Sequence, residues 1–263
     1  MASGADFQPP TVTMQQAIAF NVLIGGTIAA FRAHIAGRSA WSAFKTGALG
    51  GSVHFLGKEI GVGRWVPSGV LGTVVAATGT SIIANASEGR AALSELSVPV
   101  SAVRLRFTPT AQSKFHLSLN AFYAGFLVRD ALRSGLRFDG RHSAYAVSPV
   151  FMTDKRIKDG DVFPGGVTDG SNVVITTTRY DVTEDEVLRH EATHVRQFFL
   201  IEEAIGQPLE RRLRTLIPGV RRIPAWLELG FFPLAALALD ELSPSRRPLY
   251  RWLDGEAEMF EHR

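Results

Sequence analysis

Two histidines and a glutamate have the spacing of a metal site in the segment His190-Glu-Ala-Thr-His194. At 3.6 residues per turn, His190 and His194 share one face of a helix, so both imidazoles can reach a cation at about 2.1 Å, the usual zinc–nitrogen distance. Glu191 projects beside the pair, where it can bond a metal-bound water. Zinc lowers the pKa of such a water towards about 7, and a carboxylate can take its proton. The spacing predicts a Zn²⁺ site in which Glu191 is the general base of a hydrolytic reaction.

The flanking sequence predicts the elements that hold this motif. Asn172–Thr178 is β-branched at almost every position, which is typical of a strand. Thr183 and Glu186 have the spacing of a capping box at the start of a helix. Gly206 and Pro208 are expected to end that helix. The motif is therefore predicted inside one well-capped helix that follows a strand.

A strand, a short turn and a helix with His-Glu-x-x-His resemble the active-site core of the zincin metallopeptidases. Gly165–Thr176 resembles the edge strand and loop that line the substrate cleft of zincins, and His190–Gln197 is similar to a His-Glu-x-x-His-x-x-Gln variant of small bacterial gluzincin-like proteins. The likeness covers residues 160–263. It implies a peptide or protein substrate, a bacterial inner-membrane setting and an acidic third zinc ligand from a later helix.

This third ligand is expected in Trp252–Glu258, near the C-terminus. Aligned with the gluzincin pattern Glu-x-x-Ala-Asp, Asp254 takes the ligand position. In the pattern Trp-Leu-x-Glu-Gly-x-Ala one residue is missing, and Glu256 becomes the ligand. Register favours Asp254, whereas reach and residue type favour Glu256, so we expect Glu256 as the ligand with Asp254 as the alternative. The acids could instead form the solvated face of a terminal helix.

Three polar residues follow the motif on the same predicted helix. Gln197 lies one turn past His194 and fits either a partner of the metal ligands or a surface position. Glu202 and Glu203 lie two turns further along the same helix, which carries them away from the metal. We expect these two glutamates to be surface charges.

The first part of the chain is glycine-rich and predicts helices in a membrane. Val12–Phe31 is predominantly apolar over about 20 residues, the length that crosses a bilayer. Val66–Ala86 carries no charge. Between them lie two Gly-x-x-x-Gly repeats, Gly47–Gly51 and Gly57–Gly61, which let helix backbones approach closely. Membrane lipids are thus expected partners of residues 1–97, and a soluble helical hairpin is the alternative.

Composition limits the remaining classes of function. The chain is 46% apolar and 20% charged, with a net charge of +3. Its basic residues form no dense run, so a nucleic-acid partner is not expected. The chain has no cysteine, which excludes disulfides and thiolate metal sites.

Together these features predict an α+β chain in two parts. Residues 1–97 form a helical, membrane-inserted region, and residues 98–263 form a zincin-like domain in which a small sheet packs on the motif helix. The expected function is that of a zinc-dependent metallopeptidase tethered to a membrane. One alternative is a catalytically inactive zincin-like membrane protein that serves as a binding or structural subunit. Another is a soluble α+β protein with an accidental motif.

Overall fold

Three long helices, α1 to α3, begin the chain, and each has 22 residues. They span Met14–Ile35, Ala40–Gly61 and Val66–Ser87. The computed structural model describes residues 11–155, 165–168, 171–177, 183–230 and 248–261. Each helix is about 33 Å long at 1.5 Å per residue, which matches the hydrocarbon thickness of a bilayer. By length and composition α1 and α3 could cross a membrane.

Glycines bring these helices into backbone contact. A Cβ on Gly47 of α2 would lie 2.5 Å from the carbonyl oxygen of Gly25 in α1. A Cβ on Gly57 would lie 2.6 Å from the carbonyl oxygen of Gly72 in α3. The first Gly-x-x-x-Gly repeat of α2 thus contacts α1 and the second contacts α3. The close approach predicted from these repeats is confirmed.

Two small sheets follow, so the chain is of mixed helical and sheet composition, as predicted. The first sheet has the order β1-β2-β3-β8 and the second β4-β5-β7-β6. In the second sheet β5 and β7 are parallel, and the outer strands are antiparallel to their neighbours. The strands β1 to β8 are Leu96–Val100, Val103–Phe107, Phe115–Asn120, Arg137–Phe138, Val150–Thr153, Gly166–Thr168, Val173–Thr176 and Leu227–Glu228, with helices α4 (Ala121–Leu132) and α5 (Gly140–Ala146) between them.

The histidine motif lies on helix α6, Glu184–Ile201. The capping box predicted for Thr183 and Glu186 is present in both directions. Apolar side chains on the other face of α6 pack against β5 and β7 in one core. This core includes Val150, Met152, Val173 and Ile175 of the sheet and Val187, Leu188 and Val195 of the helix. The sheet therefore fixes the orientation of the motif face.

The predicted end of the motif helix is wrong. A π-helical turn, Glu202–Gly206, leads directly into α7, Gln207–Leu216. Gly206 and Pro208, which were expected to end the helix, therefore lie within a continuous helical path. The short helix α8, Pro218–Arg221, follows, and α9 spans Pro248–Glu261.

Glu202 and Glu203 are not surface charges, contrary to expectation. They are 1% and 5% exposed, because helix α3 and side chains of the first sheet lie against the π-helical turn. A carboxylate oxygen of Glu203 accepts a hydrogen bond from Arg104 of β2. The turn thus carries a buried ionic cluster.

Two hydrophobic cores join the helical part to the rest of the chain. Leu200 and Ala204 pack with Ala29 of α1 and Ile83 of α3. Phe260 of α9 packs with Ala17 of α1, Phe55 of α2 and Val12, which precedes α1. Both α6 and α9 therefore lie directly against the N-terminal helices, across the boundary predicted between residues 97 and 98.

Candidate metal centre

The side chains of His190 and His194 lie together on one face of α6, as their spacing predicts. Their Nε2 atoms are 3.1 Å apart, and the ring centroids are 4.8 Å apart. Both side chains are partly buried, at 19% and 14% exposure. Since the opposite face of the helix is packed on the sheet, the pair has a fixed place in the fold.

Partners at the other ring nitrogens determine which atoms of the neutral imidazoles are free. His190 Nδ1 lies 3.0 Å from a carboxylate oxygen of Glu261, which can only accept. His194 Nδ1 lies 2.8 Å from Gln197 Oε1, whose amide nitrogen donates to Glu256. Each Nδ1 therefore carries the hydrogen, and each Nε2 presents a lone pair. Two lone pairs that face each other at this distance repel unless a proton or a metal cation lies between them.

Asp254 of α9 completes a set of three donors. Its Oδ1 lies 3.3 Å from His194 Nε2, and the donor atoms of Asp254, His190 and His194 all lie within 4.8 Å of one another. Ligands at about 2.0–2.1 Å from a tetrahedral zinc are separated by about 3.3 Å. The separations of 3.1 and 3.3 Å match this spacing, and the third separation, between His190 and Asp254, is at most 4.8 Å.

Two further acids of α9 lie near His190. Glu258 and Glu261 form a second group with it that could hold a metal, and they share a helical face with Asp254. Glu261 contacts His190 through Nδ1, the nitrogen that points away from the histidine pair. Glu261 is thus placed to orient His190. Arg189 anchors this end of α9, since its Nε and Nη2 donate to the Glu261 carbonyl at 3.2 and 2.9 Å.

Glu191, the predicted base, is buried beside the histidine pair at 5% exposure. The hydroxyl of Thr168 in β6 donates to its Oε2 at 2.5 Å. Gly166 permits this approach, because a Cβ there would lie 2.7 Å from Glu191 Cγ. One carboxylate oxygen is therefore held by β6, while Oε1 has no hydrogen bond to the described residues.

Glu256, which residue type favoured as a ligand, does not lie with the imidazoles. It is fully buried, and its Oε1 accepts hydrogen bonds from Lys58 at 2.5 Å and Asn21 at 2.6 Å. Its Oε2 accepts from Gln197 at 2.9 Å. Two residues correspond to about 200° around a helix, so Asp254 and Glu256 point in nearly opposite directions. Glu256 therefore contacts the N-terminal helices and reaches His194 only through Gln197.

Negative charge dominates the surroundings of His190. Burial disfavours its charged form, but the hydrogen bond to Glu261 and the charges of Glu191 and Asp254 outweigh that effect. The pKa of His190 is consequently raised. The same field attracts a metal cation, which competes with the proton for this ring.

Sequence reasoning left Gln197 open and missed Thr168, Lys58 and Glu261. Gln197 is buried at 3% exposure and joins His194 to Glu256. The signals were a glutamine three residues after the second histidine and a lysine in the last turn of a glycine-rich helix. Glu261 shares a face with Asp254 at a spacing of seven. None of these patterns predicts which residue the side chain contacts in the fold.

The arrangement can hold one divalent cation and place a carboxylate beside it, which is the donor set of metal-assisted hydrolysis. Comparisons of the chain with protein-family models, with curated proteins and with solved structures found no match.

Proposed function

We propose that this chain is a zinc-dependent metallopeptidase tethered to a membrane. The observation that carries the proposal is the convergence of donor atoms from His190, His194 and Asp254 within 4.8 Å of one another, with two of the separations close to those of tetrahedral ligands. Two nitrogens and one oxygen with an open fourth position are typical of catalytic zinc. The ion would supply Lewis acidity, which acidifies water and polarises a carbonyl group.

The residues around this site have separate tasks. His190, His194 and Asp254 would hold the ion, and Glu191 would take a proton from water through its Oε1. Thr168 keeps the Glu191 carboxylate in place. Because this carboxylate is adjacent to the first histidine on the helix, it can act on the water without occupying a ligand position.

Strand β6 favours a peptide substrate. It lies at the end of its sheet, and it has no strand partner on its outer side among the described residues. An extended peptide can add to such an edge by backbone hydrogen bonds. Since Thr168 and Gly166 of β6 contact Glu191, a peptide bound there would pass next to the base.

The surface of the first three helices supports a membrane location. Only 28% of the apolar window of α1 is buried, whereas the core helix of a soluble protein would be mostly covered. The window of α3, which also packs against α5, α6 and the first sheet, is 56% buried. The outward-facing positions carry large apolar side chains, among them Ile18, Leu23, Phe31, Leu49, Leu56, Leu71 and Val74. Neither lysine of α2 places its charge on the middle of this surface. Lys58 is buried against Glu256. Lys45 lies near the start of the helix, with its ammonium 5.9 Å from the Trp41 ring. The middle of the bundle surface is therefore apolar.

Metal analysis and hydrolysis assays on the full chain in detergent test the proposal. We expect about one zinc per chain, a large loss of zinc in His194→Ala and Asp254→Ala, and no loss in the control His116→Ala, which replaces an exposed histidine of β3. Glu191→Gln should keep the metal and lose peptide hydrolysis by at least about 100-fold. A wild-type chain without metal, or a Glu191→Gln variant as active as wild type, contradicts the proposal.

A second candidate is a zinc-binding membrane subunit without catalysis. It is favoured by the aspartate at the third position, where the gluzincin pattern has a glutamate. Bound zinc together with no hydrolysis that depends on Glu191 would distinguish this candidate from the first.

A further inference from the structure

A cleft opens where the turn between α2 and α3 meets α5 and the start of α6. Its walls carry three arginines from three different elements, together with aromatic and apolar side chains. Those that matter most are Arg64, Arg141, Arg189, His142, Tyr145 and Asp185. The α6 residues that line the cleft, Asp185, Leu188 and Arg189, come before His190 in the sequence. None of the proposed metal ligands lines the cleft.

Positive charge exceeds negative charge in this cleft, because three arginines line it together with one acid, Asp185, and a second acid, Asp139, lies next to it. None of its three arginines has a described carboxylate within 4.0 Å. Arg189 is 5% exposed and bonds only a backbone carbonyl, that of Glu261. The acid in the wall, Asp185, lies 3.8 Å from His142 Nε2, and Asp139 lies 3.2 Å from Nδ1 of the same ring. Both nearby acids are thus directed at the histidine.

A fourth arginine adds positive potential from behind the wall. Arg196 is 1% exposed, and its Nε and Nη1 have no hydrogen-bond partner among the described residues. It lies next to Tyr145, whose hydroxyl donates to the carbonyl of Gly61 at the end of α2. A buried guanidinium without a carboxylate is unfavourable unless an anion or water compensates it.

The position of the cleft indicates which anion would reach it. Arg64 lies in the turn between α2 and α3, two residues before Val66, where a helix long and apolar enough to span a membrane begins. Trp65, between them, is 76% exposed. Tryptophan and arginine at the end of a spanning helix are typical of the level of the lipid headgroups. Phosphate is the anion that is abundant at that level.

We propose that this cleft binds a phosphate group. Guanidinium groups bind phosphate through paired N–H···O bonds, and three arginines from separate elements can surround one such group. A lipid headgroup and a soluble phosphate ester share this chemistry. The inference does not depend on the metal centre, although a lipid source rests on the proposed membrane location.

Calorimetric titration of the full, metal-free chain in neutral detergent tests the proposal. The probes are short-chain phosphatidylglycerol, glycerol 3-phosphate and, as a net-neutral lipid, short-chain phosphatidylcholine. Metal-free protein is used so that an ion at the histidine pair cannot hold the phosphate. The variants are Arg64→Gln, Arg141→Gln and the double variant, and the control is Arg133→Gln, an exposed arginine outside the cleft.

We expect saturable binding that weakens about tenfold with each cleft arginine removed and also weakens as salt rises. Arg133→Gln should bind as wild type does. Preference for phosphatidylglycerol over glycerol 3-phosphate identifies a lipid source, and equal binding identifies a soluble one. Absence of saturable binding to either anion overturns the proposal, as does equal binding by the double variant and Arg133→Gln. Circular dichroism shows whether the variants are folded.

Discussion

The ammonium group of Lys58 lies 2.5 Å from the carboxylate of Glu256, and this buried ion pair joins residues 198 positions apart in the chain. Lys58 and Glu256 are 1% and 0% exposed. The pair ties the last turn of α2 to α9, and Gln197 connects it to His194. The N-terminal helices are therefore part of the structure that supports the candidate metal centre.

Replacement of one member of this pair should lower the free energy of unfolding much more than replacement of both. Lys58→Met leaves the Glu256 charge buried without a cation, which we expect to lower the free energy of unfolding by about 3–5 kcal/mol. Lys58→Met combined with Glu256→Met should recover a large part of that loss. Thermal unfolding of the two single variants and the double variant in detergent measures the coupling. Purely additive effects would show that the pair contributes nothing as a pair.

Gln197→Leu should weaken metal binding without removing a ligand. The substitution removes the acceptor at His194 Nδ1, so the ring is no longer held with Nε2 towards the site. Loss of such a partner typically reduces metal affinity by about 10–100-fold. Competition with a zinc chelator gives the affinity, and Gln112→Leu, at an exposed turn position, serves as the control. Equal affinities for the two variants would assign Gln197 a purely structural role.

Substitution of one glycine by alanine should be destabilising in α2 and stabilising in α4. A Cβ on Gly47 would overlap the Gly25 carbonyl and the Ala29 side chain, so Gly47→Ala should lower the free energy of unfolding by about 1–3 kcal/mol. Gly125 of α4 has nothing within 4 Å of its would-be Cβ. Gly125→Ala should therefore raise it by about 0.5–1 kcal/mol, because alanine restricts the unfolded chain and favours helix. Unfolding of both variants gives the comparison, and a neutral Gly47→Ala would contradict the close contact of α1 and α2.

Glu202 should make the folded chain less stable as pH rises. Burial raises its pKa from 4.5 to about 7, against the attraction of Arg104. Between these two values the unfolded chain releases a proton that the folded chain keeps, so the free energy of unfolding falls through that window and is constant above it. Glu202→Gln removes the titrating carboxyl group, so this decrease in the free energy of unfolding should disappear.

The difference between Glu202→Gln and wild type should grow with pH to an upper limit of about 3 kcal/mol above pH 7. Below about pH 4.5 Glu202 is protonated in both states, so there the difference should be small and constant. Melting temperatures recorded across this range provide the measurement. A difference that does not change with pH would mean that Glu202 keeps its ordinary acidity in the fold.

Local patterns in the sequence determined the elements that carry the chemistry. The capping box at Thr183 and the four-residue spacing of His190 and His194 depend only on helical geometry, so helix α6 and its histidine face could be predicted. The glycine repeats of α2 likewise predicted close helix packing. Each of these features is set by residues within one or two helical turns.

Tertiary structure decided which partner each polar group has. Asp254 and Glu256 are two residues apart, and only the packing of α9 between α6 and the N-terminal helices determines that the first faces His194 and the second Lys58. Helix α3 and the first sheet likewise lie against the turn at Glu202, which its local sequence does not indicate. Periodicity defines the faces of a helix, but the elements that cover each face come from distant parts of the chain. A charged residue thus becomes a ligand, a buried partner or a surface group only when these elements pack.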